Sequence, residues 1–167
     1  MKHLILTITL ICFTLTACKV KYAFGDTNTG DAKTACVKPF TVQASLAPPG
    51  IGQVFSEKLQ NVVLNQSRME LISNTDAHVQ FEGMISGYSI APVGVQQNDV
   101  SAQNRLLITV DVIFHNELDD KMDFQQSFQR FADFQSSTDI SAVQDELIAE
   151  IFDLISQDVF NRAFSNW

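Results

Sequence analysis

The chain has 167 residues, of which 46% are hydrophobic and 18% are charged, so it can form one domain with a substantial core. Its formal net charge is −8, and no lysine or arginine occurs between Met69 and Asn104. Binding to nucleic acid needs a basic surface that neutralises phosphates. The composition therefore excludes nucleic-acid binding as a function.

Residues 1–17 have the pattern of a bacterial lipoprotein signal peptide. A weakly positive start precedes the apolar run LILTITLICFTL at residues 4–15, which is too short to span a bilayer. The run leads into Leu15-Thr16-Ala17-Cys18, which resembles a lipobox. We expect cleavage before Cys18 and lipidation of that cysteine with a diacylglyceryl thioether and an N-acyl chain such as palmitate. The alternative is an ordinary signal peptide with an incidental cysteine.

The predicted anchor has consequences for location and for the remaining cysteines. More than one acyl chain gives stable membrane residence, and Lys19, where aspartate signals inner-membrane retention in well-studied Gram-negative systems, favours the outer membrane. Residues 18–32 are polar, contain two glycines and predict a linker. Cys12 leaves with the signal peptide, so Cys36 is left without a disulfide partner. It is better explained as a small buried residue than as a reactive thiol.

The folded domain is predicted for residues 33–167 and begins with a strand and a helix. Residues 33–42 predict a strand in which Pro39 indicates a sheet edge or a strand end. After the breaker ASLAPPG at residues 44–50, residues 52–65 predict a helix. Its apolar face recurs at helical spacing and comprises Ile51, Val54, Phe55, Leu59, Val62 and Val63.

Four strand-like segments follow. Residues 69–73 are short, and residues 77–93 contain Gly83 and Gly87, which indicate a bulge or a close backbone approach. A polar loop at 94–103 leads to residues 105–116, where Leu106, Ile108, Val110, Val112 and Phe114 recur at every second position without a break. A turn at 116–121 joins this segment to its hairpin partner, residues 122–134.

The last element is a long helix predicted for residues 141–163. Ser141 is the expected N-cap, and Gln144 completes a capping box. Its apolar stripe comprises Val143, Leu147, Ile148, Ile151, Leu154, Ile155 and Val159.

The order β-α-β-β-β-β-α predicts an α+β fold. We expect a two-layer sandwich with a mostly antiparallel sheet and two helices on one face, because each helix has a single apolar face. The other sheet face then needs cover or a partner. We expect that face to carry Leu107, Ile113, Phe131 and Tyr88.

The residue patterns do not assemble a catalytic centre. His78 and His115 stand at strand ends without nearby cysteines or a paired histidine, so a metal site is not predicted. Glu82, Asp111 and Glu117 could pair as acid and base, but each fits the polar alternation of a strand or a turn. We therefore predict no enzymatic activity, no cofactor and no metal.

The chain as a whole resembles the LPS-assembly lipoprotein family LptE, in its Bacteroidota-type branch. The residues that carry the resemblance run from the lipobox to the last residue. They are Tyr22-Ala23-Phe24, the segment Phe81-Glu82-Gly83-x-Ile85-x-Gly87-Tyr88, Asn104-Arg105-Leu106, Asp123 to Phe128, Phe131-Ala132-Asp133, Asp145 to Ile148, and Asn166-Trp167. Cys36 is a minor departure, because members have few cysteines at the first strand.

The resemblance implies a function. LptE-like proteins sit as a plug inside an outer-membrane β-barrel, LptD, with which they insert lipopolysaccharide into the outer leaflet, so the implied partners are an LptD-like barrel and lipopolysaccharide. Lipopolysaccharide is anionic, and the candidate basic contacts are Lys33, Lys38, Arg105 and Arg130. Loop 94–104 is a candidate contact with the barrel. The alternative function is a free, periplasm-facing lipoprotein that carries an apolar ligand.

Overall fold

A computed structural model describes residues 29–74, 76–93 and 102–165 of the chain. The predicted signal peptide, Cys18, most of the linker, Tyr22-Ala23-Phe24, residues 94–101 of the loop and Asn166-Trp167 lie outside the described residues. The order of elements agrees with the prediction, apart from the first strand, which is two strands. They are β1 (Thr34–Val37), β2 (Thr41–Val42), α1 (Ile51–Gln66), β3 (Glu70–Leu71), β4 (Val79–Val93), β5 (Gln103–Asn116), β6 (Phe124–Gln135) and α2 (Ile140–Phe164).

Pro39 separates β1 from β2. The backbone N–H of Lys38 still donates to the carbonyl of Phe81 in β4, but proline has no N–H with which to continue the ladder. The N–H of Phe40 leaves the sheet and donates to Ser56 Oγ of α1 at 2.9 Å. The chain therefore steps along the edge of β4 and pairs with it again at Thr41 and Val42.

The strands form one mixed sheet of six strands in the order β3-β1-β4-β5-β6, with β2 also beside β4. Strands β4, β5 and β6 form an antiparallel meander, whereas the short strands β1 and β2 run parallel to β4. Helices are separate from this meander in the chain order, so the fold is α+β as predicted.

The β4–β5 ladder contains the irregularity that the glycines predicted. The register shifts between Ile85 and Gly87, so the residues that face the helices change from odd to even numbers along β4. At Gly83 the strands approach so closely that a Cβ atom would lie 2.0 Å from the carbonyl oxygen of Asp111. Because of the shift, Tyr88 faces the helices and is buried, which corrects its predicted place on the other face. Its hydroxyl accepts a hydrogen bond from Gln144 of α2.

Both helices cover the same sheet face and share one core. Phe55 of α1 contacts Phe152 of α2 with ring centroids 5.0 Å apart, and Phe164 of α2 packs on Phe81 and Phe114 of the sheet. At the surface the helices are joined by Lys58 with Asp153 and by Gln66 with Gln157. The predicted apolar face of each helix is largely buried, although Val54 and Leu154 remain more than 40% exposed.

The start of α2 differs from the prediction. Asp139, not Ser141, is the N-cap, and its carboxylate accepts the N–H of Ser141 at 3.0 Å. Gln144 does not complete a capping box, because its amide donates to Tyr88. The helix begins earlier because a carboxylate two residues before Ser141 satisfies one of the free N–H groups at the helix start.

Candidate partner-binding surface

The face of the sheet opposite the helices is called the open face here. Along β5 it carries every second residue from Gln103 to His115, and the register aligns these residues with partners on β4 and β6. Leu107, Ile113 and Phe131 lie on this face as predicted. The members of the open face on β5 and β6 are Gln103, Arg105, Leu107, Thr109, Asp111, Ile113, His115, Gln125, Ser127, Gln129, Phe131, Asp133 and Gln135.

Polar side chains pair across the open face, from strand to strand. Ser127 donates to the carboxylate of Asp111, and Gln129 donates to Thr109 Oγ1 at 3.0 Å. These pairs satisfy hydrogen-bonding groups without removing them from water. Among the apolar residues, Phe131 is 46% and Ile113 is 36% exposed. On β5 and β6 the open face is therefore a mainly polar surface on which two large apolar side chains, Phe131 and Ile113, are exposed.

Arg105 contacts both a carboxylate and an aromatic ring on the open face. Its Nε and Nη2 donate to the two carboxylate oxygens of Asp133 at 2.7 and 2.8 Å, and its guanidinium carbon lies 3.5 Å from the centroid of the Phe131 ring. The hydrogen bond from Arg105 lowers the pKa of Asp133 below its ordinary value, against a smaller opposing effect of burial. Such a bidentate, stacked arrangement is specific to arginine.

Two of the other candidate basic residues are also paired with carboxylates. Lys38 Nζ lies 2.6 Å from Glu82, and the hydrogen bond to Glu82 raises the pKa of Lys38. Arg130 faces the helices and donates to both oxygens of Asp158 in α2 at 2.7 and 2.9 Å, which raises its pKa. The charges of these residues are thus largely neutralised by neighbours.

The structure does not bring the basic candidates together. Glu82, the partner of Lys38, is level with Ile113, so Lys38 and Arg105 lie roughly 25 Å apart at the usual rise of an antiparallel strand. Arg130 projects from the opposite face, and Lys33 precedes β1, where its backbone N–H donates to His78. The sequence could not predict which of these basic residues lie close together, because neighbours on adjacent strands depend on the register of the sheet.

The three acidic residues considered as acid–base candidates each contact a neighbouring side chain. Glu82 binds Lys38, Asp111 binds Ser127, and Glu117 lies 3.2 Å from His115 Nε2. Cys36 is buried and free, as predicted. Within residues 29–74, 76–93 and 102–165, no group of three or more His, Cys, Asp or Glu side chains is arranged to hold a metal ion. None of the helices in the same ranges is long and apolar enough to cross a membrane.

A cleft of about 510 Å³ lies at the end of the open face near the β5–β6 turn. His115 lines it, and its Nδ1 lies 2.5 Å from Asp123 Oδ2. The second carboxylate oxygen of Asp123 accepts the backbone N–H of Asn116 at 2.7 Å. The sequence predicted only that His115 ends a strand. Its two acidic neighbours were visible in the turn sequence HNELDDKMD, but their contact with the ring was not.

Comparisons with solved structures show that bacterial proteins share this fold. A minor lipoprotein from Acinetobacter baumannii has a TM-score of 0.52 and 11% identity, covering 78% of this chain and 91% of its own. A hypothetical protein from Chlamydia trachomatis has a TM-score of 0.51 and 13% identity, covering 81% and 99%. A protein from Xanthomonas campestris has a TM-score of 0.52 and 7% identity, covering 77% and 81%. At these identities the likeness shows the fold alone, and no curated protein sequence matches the chain.

The fold thus defines a two-layer α+β domain with one covered and one open sheet face, of a type found among bacterial lipoproteins. The model of the LptE family, described as lipopolysaccharide-assembly, matches residues 32–163, and the chain belongs to this family. The family consists of outer-membrane lipoproteins that act in assembly and not as enzymes. The Bacteroidota-type branch stays a prediction.

Proposed function

We propose that the protein is an outer-membrane lipoprotein that faces the periplasm and acts as the plug and assembly subunit of a lipopolysaccharide translocon. Its partner in this proposal is an LptD-like β-barrel. The observation that carries the proposal is the family match over residues 32–163. The lipid anchor on Cys18 rests on the lipobox-like sequence. The protein acts by binding, and the proposal assigns it no catalytic role.

The surface chemistry of the open face supports a place inside a barrel. The interior of a transmembrane β-barrel is polar, in contrast to its lipid-facing exterior. A domain inside such a barrel needs polar surfaces that remain hydrogen-bonded. The open face meets this requirement through pairs such as Asp111 with Ser127 and Arg105 with Asp133, and Phe131 supplies an exposed aromatic anchor of the kind enriched in interfaces.

The charge of the domain indicates the kind of barrel wall that it fits. The formal net charge is −8 over the chain, and Lys38, Lys58, Arg105 and Arg130 are engaged with carboxylates. Complementary charge accelerates association and fixes orientation more than it adds affinity. We therefore propose a barrel wall with basic residues opposite this domain. Residues 94–104, which precede Arg105 in the sequence, are proposed as a further contact.

Co-purification tests the plug proposal. The tagged full-length protein is isolated from outer membranes in mild detergent, and its partners are identified by mass spectrometry. A large β-barrel in near-equal amount is expected. Phe131→Glu should reduce the barrel recovered, because it removes the exposed aromatic ring and adds a negative charge to the open face. Leu154→Glu is the matched control, since Leu154 is 45% exposed but lies on α2. Circular dichroism establishes that both variants fold.

The outcomes separate the two functions that the sequence left open. If the wild-type protein purifies without a barrel, the plug proposal fails. Native mass spectrometry of that same sample then tests the carrier alternative, which requires a bound lipid or other apolar ligand. If Leu154→Glu loses the barrel while Phe131→Glu keeps it, the barrel contacts the helices and not the open face.

The anchor is tested separately. Cys18→Ser should abolish incorporation of an alkyne analogue of palmitate and release the protein from the membrane fraction. Cys36→Ser is the matched control, because that thiol is buried in the folded domain. Labelling that persists in Cys18→Ser would contradict the proposed site.

A further inference from the structure

The imidazole of His115 lies between two carboxylates at the β5–β6 turn. Nδ1 faces Asp123 Oδ2 at 2.5 Å, and Nε2 faces Glu117 Oε1 at 3.2 Å. A neutral imidazole carries one N–H and can donate to only one of these partners, while its other nitrogen directs a lone pair at the second carboxylate. The imidazolium donates to both. The geometry therefore favours the protonated ring.

Asp123 connects the histidine to the backbone of the turn. Its Oδ1 accepts the N–H of Asn116, the last residue of β5. Asn116 is buried, and its side-chain carbonyl accepts the N–H of Leu118 at 2.9 Å. Protonated His115 thus ties Glu117, on the way into the turn, to Asp123, on the way out. Between them, Leu118, Asp119, Asp120 and Lys121 form an exposed tip.

The remaining charged groups around the cleft do not replace this arrangement. Lys38, the cation that lines the cleft, is bound to Glu82 of β4 at 2.6 Å. The neutral residues beside the ring are Gln80, opposite His115 on β4, and Gln125 on β6. Within the turn, Asp119 accepts the N–H of Lys121. The hydrogen bond to Asp123 raises the pKa of His115 against an opposing effect of burial, and Glu117 makes a smaller contribution in the same direction as Asp123.

We propose that His115, Asp123 and Glu117 form a proton-operated clamp that orders the tip of the β5–β6 turn. The clamp is closed when the imidazole is protonated on both nitrogens. When the pH rises and one proton leaves, the ring keeps the shorter contact with Asp123 and releases Glu117. The tip is then held by its own turn hydrogen bonds, such as that from the Leu118 N–H to Asn116, and becomes more mobile. The device belongs to the domain itself and does not depend on the proposed translocon.

NMR titration of the detergent-solubilised full-length protein tests the clamp. The ring resonances of His115 are assigned by their absence in His115→Gln and are followed from pH 5 to pH 9. The titration midpoint is expected to move to lower pH in Glu117→Gln, and further in the double variant Asp123→Asn Glu117→Gln. In that double variant the amide oxygen introduced by Asp123→Asn can still accept the N–H of Asn116, so the turn is retained.

A second measurement reads the consequence of the clamp. The ¹⁵N heteronuclear NOE of residues 117–121 is expected to fall as the pH rises through the wild-type midpoint, and to stay low at every pH in His115→Gln. The proposal is overturned if the His115 midpoint is the same in the wild type and the double variant. It is also overturned if the order of the tip does not change across the titration.

Discussion

Arg105 and Asp133 form a two-pronged ion pair between neighbouring strands of the open face, with both hydrogen bonds shorter than 3 Å. The guanidinium carbon of Arg105 also lies 3.5 Å from the centroid of the Phe131 ring. Arg105 is one of the four basic residues that the sequence offered as contacts for lipopolysaccharide. The ion pair changes what is expected of it, because a phosphate must compete with a carboxylate that is already in place.

We predict that lipopolysaccharide binding responds more to Asp133 than to Arg105. Asp133→Asn removes the competing charge and should raise retention of lipopolysaccharide, by less than about fivefold for a partly exposed pair. Arg105→Gln should change retention little. Surface plasmon resonance on immobilised lipopolysaccharide at several salt concentrations measures both.

Asp158→Asn is the matched control for this prediction. It frees Arg130 from an equally two-pronged pair on the helix-covered side of the sheet. An equal gain in Asp133→Asn and Asp158→Asn would show a general charge effect. A large loss in Arg105→Gln would contradict the prediction and make Arg105 a direct contact.

Acid should weaken the fold partly through Asp133. Its pKa is lowered in the folded state, so the stabilisation is present above the unfolded-state pKa of about 3.9 and is lost as the pH falls through the folded-state value. The urea midpoint of the wild type should therefore decrease below about pH 4. Asp133→Asn should show a lower midpoint at pH 7 and a smaller further decrease in acid. A parallel decrease in both proteins would mean that other carboxylates dominate.

His115 has the opposite dependence. Its pKa is raised in the folded state, so its contribution is complete below the ordinary histidine value and is lost as the pH rises through the folded-state value. Asp133 and His115 thus contribute to stability in different pH ranges. Urea midpoints measured across one pH series distinguish the two contributions.

Ser56 should matter more than Ser156, although both are buried in helices. Ser56 Oγ accepts the N–H of Phe40 at 2.9 Å and donates to the carbonyl of Gly52. Ser56→Ala leaves that buried N–H without its partner, and we expect a loss of about 1–3 kcal/mol in the free energy of unfolding. Ser156 donates within its own helix to the backbone carbonyl of Asp153 at 3.2 Å, so Ser156→Ala leaves no backbone N–H unpaired and should cost only about 0.5–1 kcal/mol. Equal urea midpoints for the two variants would contradict this account.

Gly83→Ala should be strongly destabilising. The added methyl would lie 2.0 Å from the carbonyl oxygen of Asp111 and 2.8 Å from the ring of Phe40. Because the first of these is backbone, the strands must move apart, and we expect a loss of about 3 kcal/mol, at the upper end of the range for overpacking. Gly87→Ala is the comparison, since its methyl would lie 2.9 Å from Thr109 Oγ1 and 3.0 Å from Thr109 Cβ, a less severe overlap than 2.0 Å from a backbone oxygen. Thermal unfolding followed by circular dichroism compares the two, and a milder effect at Gly83 would contradict the prediction.

The regular alternation of β5 is an example of what the sequence could predict. Leu106, Ile108, Val110, Val112 and Phe114 recur at every second position, and all five are buried against the helices. The same rule failed at Tyr88, because a bulge between Ile85 and Gly87 changed the phase of β4. Gly87 indicated the bulge, but its effect on Tyr88 followed only from the register. The N-cap of α2 failed for a local reason, since Asp139 and Ser141 both suit that position.

The sequence by itself determined the α+β class, the order of the elements and most of the core, because these depend on periodicities that one segment carries alone. It also carried the lipobox-like anchor prediction and the family resemblance. Only the tertiary structure decided that Lys38, Arg105 and Arg130 are paired with carboxylates and do not form one basic patch, and that His115 lies between two carboxylates. Those facts depend on strand register and helix placement, which bring together residues between 2 and 44 positions apart. Electrostatic pairing acts over a few ångströms in space, and the chain alone does not specify which charges meet at that distance.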